Sequence, residues 1–530
     1  MTNTVRRRSP VSVDSSVMAA GTLLSRLTGV GRLVALAYAL GIHSLADAYN
    51  LANTSPNMIY DLILGGILSA TLIPVFVDWL STRSERDAWE AMSAVVTLAA
   101  LVLILATAAF ALAAPYFIRA YTVLNHSTVG AEERAVATYL LRLFAPQVAF
   151  YGFITLIQAV LNARNRFAAP AFAPIVNNVV VIGLLLGIAV VEQHPTLAQA
   201  NADHTLLLVL GIGTTAGVLL QAVSLLPSLA GAQAKLHWRW DPGHEAVRTI
   251  LRLSGWTFGF VVANQVALFV VLILAVGVGP GTVSAYTYAY MFFQLPFGII
   301  AVSIMGSMQP DLARRWAQGN LNSFRHQVSS GLRATLSAMV PAAVGYVVLA
   351  QPVVSLLLGH GQASNNTRPA AQALTYLALG LPGFCAYLYL MRVYQAMQDT
   401  RTPFFLYLFE NALNIVLAVA LYRPFGIRGL ALSLSVAYTA GSVVALIDLR
   451  RRIGGVDGAE VAKALLRAVL LSAVMGAVVA LVAAVVGSDH GVQLLVRVVV
   501  SVIAGVTVFV GVAGLAAQLS APRRGQHRRG

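Results

Sequence analysis

Apolar residues run along this chain in long unbroken stretches, separated by short polar connections. They show no period-two alternation of apolar and polar positions, so they read as membrane-crossing helices and not as barrel strands. A helix needs about 20 mostly apolar residues to cross the hydrocarbon core. About fourteen stretches qualify: residues 17–42, 47–79, 90–118, 135–162, 171–191, 205–231, 247–276, 282–312, 328–358, 371–398, 403–422, 426–449, 461–487 and 491–517. Several exceed 25 residues, which predicts tilt or breaks. The first stretch is too long for a cleaved signal peptide, holds Arg26 and Arg32, and has many others behind it. Residues 1–15 and 521–530 read as disordered basic tails.

Composition strengthens the picture. Of 530 residues, 58% are hydrophobic and only 10% are Asp, Glu, Lys or Arg, against about 25% charged in a soluble protein. That excludes a soluble enzyme and a disordered protein, and a single cysteine, Cys385, excludes an intrachain disulfide. The net charge is +15, and its placement carries information. With fourteen crossings, 25 of the 35 lysines and arginines fall on the side of the termini and the even-to-odd connections, 5 on the other side and 5 inside crossings. By the positive-inside rule both termini are cytoplasmic. The same bias accounts for the charge without nucleic acid, since there is no soluble basic domain to bind it. No His-Glu-x-x-His and no P-loop lysine signature occurs. No metal, no cofactor and no ATPase activity is therefore expected, and work must come from the membrane potential or an ion gradient.

The chain also repeats itself. Asn162-Ala163-Arg164 through Pro170 and Asn178 matches Gln395-Ala396-Met397 through Pro403 and Asn411 at an offset of 233. Ala48-Tyr49 matches Ala285-Tyr286, and Pro56, Gly65, Gly66 and Pro74 have counterparts in Pro296, Gly298, Gly306 and Pro310. The fold class expected is all-α integral membrane: two six-helix lobes in pseudo-twofold repeat, residues 16–235 and 236–455, with two C-terminal helices at 456–520. Repeats of this kind are typical of alternating-access transporters with the substrate site between lobes.

Ionised groups inside a membrane ask for a cavity or a partner. Arg26 and Arg32 sit in Ser25-Arg26-Leu27-Thr28-Gly29-Val30-Gly31-Arg32. Six residues separate them, about 9 Å along a helix axis and about 120° around it, so they would not share a face on a straight helix, and Gly29 and Gly31 between them would permit a bend. Two cations facing one cavity suit a phosphate or pyrophosphate. Alternatively each snorkels, or pairs with Asp47 or Asp61. Asp61 reads as a partner of Arg32, as an ion-coupling carboxylate, or as a near-surface residue of a broken helix. Glu410, Asn411 and Asn414 share a face of the eleventh crossing, and Asn177 and Asn178 hold the matching place in the fifth. They read as cavity or coupling groups or as helix glue, with Arg392 or Arg142 as neutralisers of Glu410. Pro56, Gly65, Gly66, Pro296 and Gly298 mark kinks that a transporter can use as hinges.

At Ser25 to Arg32 the sequence resembles the first helix of the MurJ/MviN family, proposed flippases for lipid II. Ala46-Asp47-Ala48-Tyr49 with Pro56-Asn57 resembles the second helix. Arg166-Phe167-Ala168-Ala169-Pro170-Ala171-Phe172-Ala173-Pro174 and Gln398-Asp399-Thr400-Arg401-Thr402-Pro403 are similar to specific family strings, and Gly426 with Gly429-Leu430-Ala431 supports them. The resemblance covers about residues 15–450 and implies the multidrug/oligosaccharidyl-lipid/polysaccharide exporter (MOP) fold. It implies a bacterial cytoplasmic membrane location, pyrophosphate held by Arg26 and Arg32, a functional Asp47, and a lipid-tail groove on the last two helices. Two further family arginines are replaced: Tyr60 and Asp61 occupy one stretch, and Met291 the other. The stretch Pro56 to Leu62 with Gly65-Gly66 looks like the high-GC Gram-positive branch. The leading expectation is a lipid II flippase involved in peptidoglycan biosynthesis and cell shape, and not an enzyme. Its expected partners are lipid II or a related polyprenyl-pyrophosphate glycolipid, bilayer lipids, and proteins of cell-wall synthesis and division. The alternatives are export of another lipid-linked oligosaccharide or teichoic precursor, cation-coupled drug export (which the span-1 arginines oppose), and a non-transporting scaffold of the cell-wall machinery.

Overall fold

The computed structural model describes residues 10–65, 71–125, 128–192, 195–487 and 491–520. Gly66 and most of both expected tails, residues 1–9 and 521–530, lie outside the described residues. Helices make up nearly all of what is described, with no strand among the described residues. In chain order they are α1 (Pro10–Leu40), α2 (Ser44–Tyr60), α3 (Ile73–Thr82), α4 (Glu85–Tyr121), α5 (Thr128–Phe144), α6 (Gln147–Ala163) and α7 (Ala168–Val191). Next come α8 (Leu197–Ala202), α9 (Thr205–Ser224), α10 (Leu226–Gly231), α11 (Glu245–Leu253), α12 (Gly255–Val278), α13 (Thr282–Pro296) and α14 (Val302–Ala317). The last are α15 (Leu321–Leu358), α16 (Arg368–Leu379), α17 (Leu381–Ala396), α18 (Arg401–Phe425), α19 (Ile427–Ile453), α20 (Gly458–Val486) and α21 (Gly491–Ser520).

Residues 10–15, expected in the tail, are the first turns of α1; Pro10 at its start needs no hydrogen-bond partner there. Among the described residues, twelve helical stretches are long and apolar enough to cross a membrane, three of them joining two of these helices (α5–α6, α9–α10 and α13–α14), and the pair α16–α17, bent by 52°, makes a thirteenth. Residues 47–79, expected as one crossing, are divided into the 17-residue α2, a π-turn at Asp61–Gly65 and the 10-residue α3, with residues 66–70 outside the described residues.

The chain forms two compact units. One comprises residues 1–292, 358–369 and 400–433; the other comprises 293–357, 370–399 and 434–530. In the first, α1 packs along α7, α12 along α18, and α2 against α5 and α6. Ile154, Leu161, Val218 and Leu225 form part of its buried core. In the second, α20 packs along α21 and α14 against α17, with Leu349 of α15 buried against Met475, Val479 and Ala483 of α20. Hydrophobic transfer does not drive helix association in lipid, so close approach through small residues matters most. At Gly380 and Gly383 of the bent pair a Cβ would run into Ser435 and Thr439 of α19, so only glycine lets these backbones meet.

The repeat is visible in the backbone. α6 and α17 each end in a non-glycine residue with positive φ, Asn165 at 57° and Gln398 at 59°. Each is followed by a matching turn-closing bond, Arg166 N–H to the Leu161 carbonyl at 2.8 Å and Asp399 N–H to that of Tyr394 at 3.0 Å, the pattern of a Schellman C-cap. The second π-turn, Phe297–Ala301, lies 236 residues after the first.

A candidate site of unpaired membrane charges

Arg26 and Arg32 lie on α1, which is held to α7 by a side-chain clasp. Asn178 Nδ2 donates to the Ser25 carbonyl at 3.2 Å and to Thr28 Oγ1 at 3.0 Å. At Gly29 and Gly31 a side-chain methyl would make only ordinary contacts with α7. A Cβ on Gly29 would sit 3.8 Å from Asn178 Nδ2, and one on Gly31 would sit 3.4 Å from Ile182 Cδ1. α1 runs as an α-helix through both glycines. Both arginines are half-buried, and Arg32 places its charge near the Tyr151 hydroxyl. Arg26 Nε is buried without a hydrogen-bond partner, and neither arginine has an acidic partner among the described residues.

The two acids proposed as their partners are committed elsewhere. Asp47 of α2 is 2% exposed. Its Oδ2 accepts from Gly281 N–H at 2.6 Å, and its Oδ1 accepts from the Ser284 amide at 2.8 Å and the Ser284 hydroxyl at 2.6 Å. These are first-turn donors of α13, which have no partner inside their own helix and sit at its positive dipole end. Asp47, which the resemblance implies is functional, caps in this structure a helix 234 residues away. Gly281 has φ +81°, and a side chain there would meet the Ile42 carbonyl, so glycine is what lets the chain turn under the carboxylate. Asn50 Nδ2 adds a bond to Ser284 Oγ at 3.0 Å, and the buried Glu133 of α5 lies within electrostatic reach of Asp47. Asp61 opens the first π-turn, where Gln265 Nε2 of α12 donates to its Oδ2 at 3.0 Å; it does not pair with Arg32. Its neighbour Tyr60 shares a 2.7 Å bond with Thr155.

Glu410 is 1% exposed, and neither carboxylate oxygen has a hydrogen-bond partner among the described residues. Neither proposed neutraliser serves it: Arg392 donates to Gln395 at 3.2 Å, and Arg142 is exposed. Next to it Asn411 Nδ2 donates to Asn264 Oδ1 of α12 at 2.8 Å, and Asn414 Oδ1 accepts from Ser433 Oγ at 3.1 Å. The breaks fall beside the predicted kink residues. Pro56 lies inside α2, five residues before its π-turn, and Gly65 closes that turn. Pro296 ends α13, and Gly298 lies inside the second π-turn. Met291, in the place of a family arginine, is 39% exposed. No group of three or more His, Cys, Asp or Glu suited to a metal occurs among the described residues. Gln265, Asn264, Ser284 and Glu133 were not legible from the sequence: three are neutral, and the partners of two lie more than 200 residues away.

The arrangement therefore combines two membrane guanidinium groups free of acids, one orphaned carboxylate, and an acid that ties the second crossing to the eighth. A family model described as lipid II flippase MurJ matches residues 36–501. A Vibrio cholerae protein named "Probable lipid II flippase MurJ" is 28% identical over 434 residues, 79% of either chain. One of the same name from Thermotoga maritima is 27% identical, covering 81% of this chain and 84% of its own. Among solved structures, a lipid II flippase MurJ in an inward closed conformation superposes with TM-score 0.76 at 22% identity, covering 94% of this chain and 98% of the other. An inward-facing multidrug resistance MATE family transporter of the MOP superfamily superposes with TM-score 0.67 at 13% identity, covering 82% and 98%. The fold is that of the MOP transporters, and the chain belongs to the lipid II flippase MurJ family.

Proposed function

We propose that this protein moves lipid II from the inner to the outer leaflet of the bacterial cytoplasmic membrane by alternating access, with both termini cytoplasmic. The observation that carries this reading, beside family membership, is the pair Arg26 and Arg32. Each costs about 2.5–3.5 kcal/mol in a membrane helix on the gentlest scale, and no acid among the described residues offsets it. A pyrophosphate does so, through charge-assisted bonds to both guanidinium groups. The polyprenyl tail stays in lipid along residues 456–520, and rocking of lobes 16–235 and 236–455 carries the headgroup across. The Asp47 clasp closes the end opposite the basic connections and opens on release. Glu410, with Asn411 beside it, is the group through which an ion gradient drives the cycle. Tyr60, Asp61 and Met291 stand where family arginines are expected, and this favours a second reading in which the cargo is another polyprenyl-pyrophosphate glycan.

Binding of the purified protein to lipid II tests the proposal, with Arg26→Ala and Arg32→Ala alongside wild type. Losing charge-assisted bonds of about 1.5–3 kcal/mol predicts roughly tenfold to hundredfold weaker binding for each variant. Undiminished binding in both variants sinks the arginine mechanism. Binding only to a different polyprenyl-pyrophosphate sugar keeps the mechanism and changes the cargo.

A further inference from the structure

All six tryptophans of the chain lie by the connections that carry the basic excess: Trp79, Trp89, Trp238, Trp240, Trp256 and Trp316. Membrane proteins ordinarily place tryptophan at both interfaces, so a one-sided set asks for a specific cause. Three of the six are well exposed and belong to one segment: Trp238 at 71%, Trp240 at 57% and Trp256 at 43%.

The backbone of this segment fixes where they point. His237 N–H donates to Ser93 Oγ at 3.2 Å, and Arg239 N–H donates to Thr97 Oγ1 at 3.1 Å. Arg239 also pairs with Glu90 at 2.7 Å. Residues 237 and 239 are thus pinned to α4, and in extended chain the alternate residues, Trp238 and Trp240, face away. Ser93 and Thr97 lie in the third and fourth turns of α4, itself a membrane-crossing candidate, so the two indoles stand beside a crossing helix near its end. After Trp240 the chain turns into α11, whose Ala246, Val247 and Ile250 are buried, while Arg248, Leu251 and Arg252 stand exposed on the other face. Only Ser254 separates α11 from the crossing helix α12, which carries Trp256 in its first turn. Neighbouring cations are neutralised: Arg83 by Glu245, Lys235 by Glu85, and Arg239 by Glu90 and Asp241. Arg248 and Arg252 have no ion pair among the described residues.

We propose that residues 235–256 form an interfacial foot for anionic phospholipid, with Trp238, Trp240 and Trp256 seated at headgroup level and Arg248 and Arg252 binding lipid phosphates. Acids of the foot and of the neighbouring α4 pair with Lys235 and Arg239, which leaves Arg248 and Arg252 on the face next to the membrane entrance of α12, and aromatic rings with an apolar body and a polar N–H surround that face. This goes beyond cargo recognition, because the ligand is the bulk leaflet and the residues are not those of α1.

The test uses full-length protein in nanodiscs of phosphatidylcholine mixed with phosphatidylglycerol, with either lipid brominated on its acyl chains to quench tryptophan. Brominated phosphatidylglycerol is expected to quench at least about twofold more than brominated phosphatidylcholine at equal mole fraction, since each juxtamembrane arginine enriches anionic lipid several-fold. Arg248→Gln/Arg252→Gln removes that excess and leaves quenching by phosphatidylcholine unchanged. Trp238→Phe/Trp240→Phe lowers the quenchable signal for both lipids. Equal quenching by the two lipids in wild type, or an excess that survives the double arginine variant, overturns the proposal. So does a tryptophan pair quenched by aqueous acrylamide and not by either lipid, which would mark a water-facing protein-docking surface instead.

Discussion

At the scale of the residue, two buried carboxylates behave in opposite ways. Asp47 is fully engaged, and its two amide and one hydroxyl donors all come from the start of α13. Asp47→Asn keeps the shape but removes the charge and aims an amide donor at donors. Charge-assisted bonds contribute about 1.5–3 kcal/mol each, so the Tm of the detergent-solubilised variant is expected to fall by several degrees. Asp47→Ala should fall further. An unchanged Tm for both would mean that the cap adds nothing to stability. Glu410 is buried with both oxygens orphaned, so an ionised carboxylate there pays a desolvation cost with no compensation. Glu410→Gln is expected to hold or raise Tm while abolishing the dependence of transport on the ion gradient. A marked loss of Tm would contradict the orphaned state and point to a bound cation. The sequence showed that both acids sit among apolar residues and so need an account. It could not show which one had a partner, because the donors to Asp47 are backbone groups whose position depends on the turn at Gly281.

At the scale of the element, equivalent asparagines do equivalent work. Asn178 of α7 reaches Thr28 of α1, and Asn411 of α18 reaches Asn264 of α12; the fifth crossing clasps the first in one half as the eleventh clasps the seventh in the other. Asn178→Ala and Asn411→Ala should therefore destabilise by similar amounts, about 0.5–2 kcal/mol for an interhelical bond in lipid. Thermal unfolding against a Thr28→Val/Asn178→Ala double-mutant cycle measures it, and additive single effects would show that the clasp carries no coupling. The helices themselves were legible because a crossing needs an apolar run of fixed length, and their repeat was legible from Pro and Asn spacing. The breaks were less so. Proline and glycine announced a kink near residue 60, but not that it would be a π-turn five residues beyond Pro56. α11 was absorbed into an expected crossing at 247–276 because Val247, Ile250, Leu251 and Leu253 extend the apolar run. Its alternation with Arg248 and Arg252 marks a separate surface helix. The one-turn-plus α8 has its signal in Thr196 and Gln199, a capping box in the loop between two crossings.

At the scale of the whole molecule, the charge asymmetry makes a claim about sidedness that a cysteine can test. Cys385 is the only cysteine and is buried, so Cys385→Ala gives a background with no thiol. Gln318, after α14, lies in an even-to-odd connection next to Arg314 and Arg315, and Asn365, between α15 and α16, lies in an odd-to-even one; both are exposed. If the positive-inside rule sets the orientation, Gln318→Cys is silent to a membrane-impermeant maleimide in intact cells and reacts after permeabilisation, while Asn365→Cys reacts in both. The counting matters because the second crossing is divided. If residues 44–82 turned back without crossing, every later connection would change sides, and the two labelling patterns would exchange. The arrangement of 25 cations on one side against 5 on the other depends on that divided segment crossing. Sidedness also decides which end of the molecule the Asp47 clasp closes. With Asn365 outside, Asn366 Nδ2 holding the Ile42 carbonyl at 2.8 Å places the α1–α2 turn, and with it Asp47, at the outer surface. An outer clasp that must open to release the headgroup is what inner-to-outer flipping requires; exchanged labels would leave the basic foot outside and the clasp inside, and the direction of transport would have to be reversed.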